Sequence, residues 1–419
     1  MPNTPPTPID RPHEQSERSR TLDAIRGVAV LGILAVNILS LAWPWETMLN
    51  PGLLPDTAWN RGSYGAMELF FLGKMIFLFS CLFGAGAVLF RRPTGRWLQR
   101  MAVLAAIGLA HGLLFWSGDI LLTYALLGVA LVWWVRGLPV RTLAALAATL
   151  ISIGLLWSAG FAWLLAQATG EWAFNAEESF AVTRDAMLGS WADAFVHRLW
   201  ELLGTWIFAI FGGWLVLLAG YMTLGAALLR AGFWTGRLPV RRYARLAAAL
   251  LPTGLAVAAL AVWLRASGNA NGLLAFAVHQ LAAIPLGLGY ASLAVWFAKT
   301  GRARRAIDAL AATGRMALTN YLSHTLVMTT VFMGWGFGLL TRVDYPALWG
   351  VVGAMWAANI AASVWWLKRF RFGPVEWLWR CLTYDRIEPL RLAADHPGRP
   401  GGGGDPDAGV GNDHSSPGV

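Results

Sequence analysis

The sequence predicts an all-α fold, a polytopic transmembrane helical bundle of about ten membrane-spanning helices with both termini in the cytoplasm. Three observations predict it. Of the 419 residues, 57% are hydrophobic and 13% charged, with a mean hydropathy of +0.52, more apolar surface than a water-facing fold can hide. Apolar runs long enough to cross a ~30 Å hydrocarbon core at 1.5 Å per residue recur along the chain. The connectors between those runs alternate between basic and acidic, which is the charge signature of membrane topology.

Taken in order, residues 1–20 are rich in Pro and charge, with no apolar centre and no small-residue cleavage site. They read as a disordered cytoplasmic arm, not a signal peptide. Residues 21–394 form the transmembrane helical domain, with outer loops at about 44–68 and 169–198, and the Gly/Pro/Asp-rich residues 395–419 form a disordered cytoplasmic tail. The expected spans are Ile25–Trp43, Leu69–Phe90, Trp97–Trp116, Ile120–Val135, Leu143–Ala168, Leu199–Leu229, Ala244–Leu264, Leu273–Phe297, Met316–Leu340 and Pro346–Leu367.

The connectors near Arg91, Arg136, Arg237, Lys299 and Lys368 are basic, whereas 41–68 and 169–198 carry most of the acidic residues between spans. Of the 33 Lys and Arg, roughly 27 fall on the basic side, about five on the other and one, Lys74, inside a span. A miscounted helix would mix the two groups, so the basic side is assigned to the cytoplasm. The net charge of +10 is thereby explained by topology, and no nucleic-acid partner is expected. The lipid bilayer is the expected partner. Cys81 and Cys381 have no CxxC or metal-ligand spacing, so no metal site is expected. There is no nucleotide-binding or dinucleotide fingerprint, and no covalently bound cofactor is expected. Many of the 24 Trp lie near span ends, including Trp43, Trp45, Trp116, Trp133, Trp134, Trp365 and Trp366, as interfacial anchors do. No internal repeat is evident, which speaks against an inverted-repeat transporter.

Ionisable and polar groups at membrane depth are costly and are therefore candidates for function. In the first helix Asp23, Arg26 and Asn37 share one stripe. Two readings stand: Asp23 orients Arg26 as an anion ligand, or it serves the helix N-terminus while Arg26 snorkels. Lys74 sits about two turns inside the second span. Glu68, six residues earlier, falls on another helical face, so the expected partner of Lys74 is on a different helix, with Asp119 a candidate; outward snorkelling is the alternative. The glycines of FGAGA serve close helix packing.

The third and fourth spans form a hairpin whose outer turn is Trp116-Ser117-Gly118, with His111 below it and Asp119 opening the returning helix. A histidine beside a carboxylate is a general-base arrangement. Asp119 is equally an ordinary N-cap, and His111 an interhelical hydrogen-bonding residue. Thr319, Asn320, Ser323 and His324 share one face of the ninth span, as a polar cavity with a proton-handling histidine or as glue between helices. His279 and Gln280 read as structural, and the Pro285 kink with Gly287 and Gly289 either widens a cavity or only bends the helix.

The stretches RTLDAIRGVAVLGILAVNI, ELFFLGKMIFLFSCLFGAGAVLFRR, GLAHGLLFWSGDILLTYALLG and GRMALTNYLSHTLVMTTVFMGWGFGL resemble the bacterial YeiB family, domain of unknown function 418. That resemblance implies residence in the bacterial cytoplasmic (inner) membrane and names no reaction. More remotely, the Asp23-x-x-Arg26-Gly27 element is similar to the first helix of membrane-bound acyltransferases of the acyltransferase-3 and heparan-α-glucosaminide N-acetyltransferase type. The likeness implies acyl-CoA as donor from the cytoplasm, with Arg26 near its phosphates, and an acceptor on the far side. Those relatives carry an essential histidine in or after the first helix, whereas residues 27–67 here have none; either His111 or His324 takes over that task, or this branch does different chemistry.

The leading expectation is an acyltransferase in which His111 and Asp119 form the base and Lys74 stabilises oxyanion charge. Asp23, Arg26, Asn37, Glu68, Asn320, Ser323 and His324 would contact substrates. The alternatives are a transporter or permease for a small anionic or lipid-like solute, with the same buried groups lining its path, and a non-catalytic membrane component.

Overall fold

A computed structural model describes residues 12–90, 92–169, 176–267 and 272–392. The described residues are all-α apart from one isolated antiparallel bridge, Phe370 to Arg391. In chain order the helices are α1 (Pro12–Ala42), α2 (Glu46–Leu49), α3 (Ala58–Phe70), α4 (Lys74–Leu89), α5 (Thr94–Leu114), α6 (Leu121–Val135), α7 (Val140–Thr169) and α8 (Ala176–Leu188). They continue with α9 (Trp191–Phe211), α10 (Trp214–Arg230), α11 (Val240–Ala266), α12 (Gly272–Thr300), α13 (Arg304–Arg315), α14 (Ala317–Phe332), α15 (Tyr345–Leu367) and α16 (Pro374–Tyr384).

Among these residues eight helical stretches are long and apolar enough to cross a membrane, with α3 and α4 counted together, and α6 and α10 are shorter apolar helices. The outward faces of α6, α7, α9 and α11 carry exposed Trp133, Leu156, Trp163, Leu164, Trp200, Ile207 and Trp263, a surface suited to hydrocarbon and not to water. The chain is a multi-pass helical membrane protein.

Several expected boundaries are corrected. Helix α1 begins at Pro12, inside the stretch expected to be a disordered arm; residues 1–11 and the expected tail lie outside the described residues. The two connectors expected to be outer loops hold helices: α2 and α3 in one, α8 and the first turns of α9 in the other. The single span expected at Leu199–Leu229 is two helices. Hydropathy runs unbroken through Gly212-Gly213, but Gly213 takes φ +73°, a left-handed turn that glycine adopts without penalty. The carbonyls freed at the end of α9 are taken up by α7, where Trp157 Nε1 donates to Phe211 O at 2.8 Å and Ser158 Oγ to Gly212 O at 2.6 Å. The span expected at Met316–Leu340 is helical only to Phe332, after which the chain turns. Helix α12 runs through Pro285 without interruption.

Not all the tryptophans expected as anchors serve that way. Trp133 and Trp365 are exposed, but Trp43 is buried and donates to Val343 O, Trp116 is buried, and Trp134 donates to Thr223 Oγ1. An indole buries a large apolar face while its N–H satisfies a carbonyl or hydroxyl, which suits helix seams as well as the bilayer surface.

One end of the bundle is basic. There Arg230 donates to the carbonyls of Val135 and Arg136, Arg136 to Phe90 O, and Arg96 pairs with Asp385 at 2.7 Å. Bonds from Gln99 and Arg96 hold the exposed Asp385 carboxyl below the ordinary aspartate value and strap the end of α16 to the start of α5. Glu376 of α16 reaches the N-terminus of α14, accepting from Leu318 N at 2.7 Å, Thr319 N at 3.0 Å and Thr319 Oγ1. It therefore acts as a cap supplied from a distant helix. Replacing Glu376 with Ala is expected to destabilise the fold by about 1–2 kcal/mol, the upper part of the capping range. Thermal unfolding of the detergent-purified variant checks this.

Candidate functional site

The α5–α6 hairpin builds the first cluster. Its two helices pack closely because Gly108 faces the returning chain: a Cβ there would lie 2.4 Å from Leu122 N and 2.8 Å from Asp119 Oδ2. Asp119 then divides its carboxylate. Oδ2 accepts from Leu122 N at 3.0 Å, capping α6, while Oδ1 lies 2.8 Å from His111 Nδ1. Asp119 thus stands one residue ahead of the N-cap Ile120, satisfying an N–H of the first turn of α6 with one oxygen while the other meets His111. Both side chains of the pair are buried, His111 4% and Asp119 1% exposed. A carboxylate accepts, so Nδ1 carries a hydrogen, and in the neutral imidazole Nε2 then presents a lone pair. Nε2 is buried and has no hydrogen-bond partner. The ring of Tyr321, from α14, lies 5.3 Å from that of His111, and Trp116 lies edge-on to it at 6.5 Å.

Beyond the hairpin turn the polar groups continue onto α9. Ser117 Oγ donates to Glu201 Oε2 at 2.7 Å, Arg198 Nε donates to Leu113 O at 3.0 Å, and His197 Nε2 stands 3.4 Å from Glu201 Oε1. Glu46 of α2, in turn, accepts from Ser179 and Thr183 of α8. Glu201 Oε1, Arg198 Nη2 and Glu46 Oε2 are buried without hydrogen bonds, so this end of the hairpin holds unspent polar capacity.

At the basic end a second cluster surrounds the start of α5. Asp23 and Arg26 pair at 2.7 Å. The guanidinium of Arg100 lies 3.5 Å over the Trp379 ring, with Arg26 and Arg380 within electrostatic reach. Arg380 stacks on Phe372 at 4.4 Å and its Nε is buried without a partner. Three guanidiniums from α1, α5 and α16 therefore face one region, and only Arg26 of the three forms an ion pair recorded among the described residues. Asn37 is eleven residues along α1 from Arg26, about 16 Å at helical rise, and does not join this group.

The remaining expected residues are placed apart from His111. Lys74 is not paired with Asp119: its ammonium donates to Glu68 O at 2.6 Å. The expectation failed because α3 ends at Phe70 and residues 71–73 form a turn, with Gly73 at φ +80°, so the six-residue spacing does not fall on one continuous helix. Glu68 instead binds Arg265 of α11. On α14, Asn320 Nδ2 donates to Thr313 O and Ser363 Oγ, each at 3.0 Å, Ser323 Oγ donates to Asn320 O, and Asn359 Nδ2 lies 2.7 Å from His324 Nε2. An amide N–H there occupies the nitrogen lone pair of His324. That face joins α14 to α13 and α15. Each histidine keeps one buried nitrogen without a partner, Nε2 of His111 and Nδ1 of His324, but with its Nε2 accepting from Asn359 the His324 ring carries its hydrogen on Nδ1, whereas the open nitrogen of His111 is the one opposite its Nδ1–H. Arg100, Arg380, Tyr321, Arg198, Glu201 and Arg265 were not singled out from the sequence. Among the described residues no three His, Cys, Asp or Glu side chains gather as metal ligands.

The chain is 37% identical over 388 residues to "Uncharacterized protein YeiB" of Escherichia coli (strain K12), covering 89% of this chain and 98% of that protein. The chain belongs to the YeiB family. Residues 228–386 also match the family model described as "Protein of unknown function (DUF418)". YeiB-family likeness extends at 29% identity to "Uncharacterized protein YxaH" of Bacillus subtilis (strain 168), over 91% of this chain and 98% of that protein. It extends likewise to an uncharacterized 39.9 kDa protein of Bacillus acidopullulyticus, over 90% and 96%. No solved structure matches the chain. The DUF418 range begins in α10, so the His111–Asp119 pair lies outside it.

Proposed function

We propose that this YeiB-family protein is a membrane acyltransferase that moves an acyl group from acyl-CoA to a hydroxyl or amine acceptor, with His111 as general base. The observation that carries the reading is the buried His111–Asp119 pair with its free Nε2. In the step proposed, Nε2 takes the proton from the acceptor O–H or N–H as that atom attacks the thioester carbonyl. Asp119 holds the ring and balances the imidazolium; the acyl–sulfur bond then breaks, and the proton passes to the departing thiolate. The polar groups around Glu201 and Arg198 receive the acceptor.

The donor enters at the other end. Arg26, Arg100 and Arg380 offer guanidinium forks to its phosphates. Arg100 and His111 are eleven residues apart on α5, about 16 Å along the helix, a separation that an extended pantetheine arm bridges. The remote likeness of Asp23-x-x-Arg26-Gly27 to membrane acyltransferases supports the same placement. In this reading the arginine end of the bundle lies on the cytoplasmic side of the bacterial inner membrane.

Purified protein in nanodiscs, given labelled acyl-CoA and a bacterial lipid and polar-metabolite extract, is expected to transfer label. Absence of both binding and transfer, together with solute flux in proteoliposomes, would establish the transporter instead. Arg100→Gln and Arg380→Gln are each expected to raise KM for acyl-CoA about tenfold or more with kcat little changed, since a lost charge-assisted contact to a bound phosphate weakens binding by roughly 1.5–3 kcal/mol. Steady-state kinetics separates the two parameters.

A further inference from the structure

A third cluster takes no part in the proposed transfer. It forms where α3, α4, α11 and α12 meet, at the end of the bundle opposite the arginines. Lys74 is wholly buried, and among the described residues its ammonium donates only to the Glu68 carbonyl oxygen. The single carboxylate of the cluster, that of Glu68, is engaged by Arg265, whose guanidinium also lies 4.5 Å over the Tyr64 ring. The cluster thus sets two cationic side chains against one anionic one.

Around them polar capacity is unspent. Arg265 Nε and Nη1 are buried without hydrogen-bond partners. His279 is fully buried, with neither ring nitrogen hydrogen-bonded and Nε2 3.4 Å from Glu68 Oε1. Gln280, 1% exposed, has neither its amide oxygen nor its amide nitrogen satisfied, and its side chain lies against Gly73 at the turn that opens α4. A cation surplus at membrane depth is costly, and so is a buried carboxamide with no partner. One occupant relieves both: an anion accepting from Lys74, Arg265 and the Gln280 amide.

We infer that this cluster is a binding site for a phosphate-type oxyanion, presented either as free phosphate or as the phosphodiester of an anionic lipid headgroup. Guanidinium and ammonium donors converging with a neutral amide donor suit a multi-oxygen anion. The inference does not depend on acyl transfer.

The test uses the full chain in phosphatidylcholine nanodiscs and reads thermal stability. Either inorganic phosphate, titrated against chloride at matched ionic strength, or phosphatidylglycerol in the disc is expected to raise Tm saturably, because a ligand bound only by the folded state stabilises it. A rise with phosphate identifies the free ion; a rise with phosphatidylglycerol alone identifies the headgroup. Lys74→Met is expected to abolish the rise and Lys74→Arg to retain it. Should Lys74→Met not fold, Gln280→Leu decides, with the rise expected to fall by at least half. No rise with either anion, or an undiminished rise in the deciding variant, overturns the inference. Acyl transfer is assayed separately, so failure here leaves the His111 reading standing.

Discussion

Asp119→Asn and His111→Ala are each expected to lower acyl transfer by about 10²–10⁴-fold while KM for acyl-CoA changes little. The two substitutions reach the same end by different routes. Alanine removes the nitrogen that takes the proton. Asparagine keeps the volume, and its oxygen can still cap Leu122 N, but its amide then faces Nδ1 with a donor and inverts the tautomer, leaving hydrogen on Nε2 where the lone pair is required. A double variant is expected to be no worse than the more damaged single one, because the pair acts as a unit. Single-turnover transfer by folded, monodisperse preparations checks all three. His324→Gln, by contrast, is expected to change stability more than rate, since its Nε2 is already engaged by Asn359.

The largest expected loss of stability comes from glycines at two helix crossings. A Cβ on Gly314 would lie 1.8 Å from Asp23 O, and one on Gly27 2.0 Å from Leu310 O, so α1 and α13 touch backbone to backbone. Helices α4 and α10 do the same, with a Cβ on Gly84 falling 1.8 Å from Met222 O and one on Gly225 1.8 Å from Cys81 O. No side-chain rotation relieves contacts with backbone carbonyls; the helices must move apart and forfeit the packing around them. Gly84→Ala, Gly225→Ala, Gly27→Ala and Gly314→Ala are each expected to cost about 3 kcal/mol, the top of the overpacking range. Pairs within one crossing should cost less than the sum, because the first substitution already separates the helices. Thermal unfolding in detergent is the readout, and the α1–α13 pair should also impair donor binding, since Asp23 and Arg26 flank that contact.

Much of this was legible in the sequence, for identifiable reasons. A bilayer imposes a length and a hydropathy on every crossing, so most spans stood out within a few residues. His111 and Asp119 are eight residues apart across a tight hairpin, and the chain has little freedom to separate them. The FGAGA glycines predict close packing, and Gly84 provides it while Gly86 faces open space. What was hidden was either long-range or masked by a sufficient explanation. Glu68 and Arg265 are 197 residues apart, with no local pattern joining them. Arg100 and Arg380 were absorbed into the basic side of the membrane, where any arginine is unsurprising. Lys74 was misassigned because a helical wheel assumes a continuous helix, and the turn at Phe71–Gly73 breaks it. The break at Gly212-Gly213 was invisible to hydropathy because both sides are equally apolar.

Sidedness of transfer bears most directly on the account. Proteoliposomes with the protein in one orientation, set by protease access to the C-terminal end, are given labelled acyl-CoA on one face at a time. Donor on the face bearing Arg26, Arg100 and Arg380 should yield labelled acceptor, with the label lost in Asp119→Asn. Transfer from the opposite face alone, or equal labelling by wild type and Asp119→Asn, would contradict it.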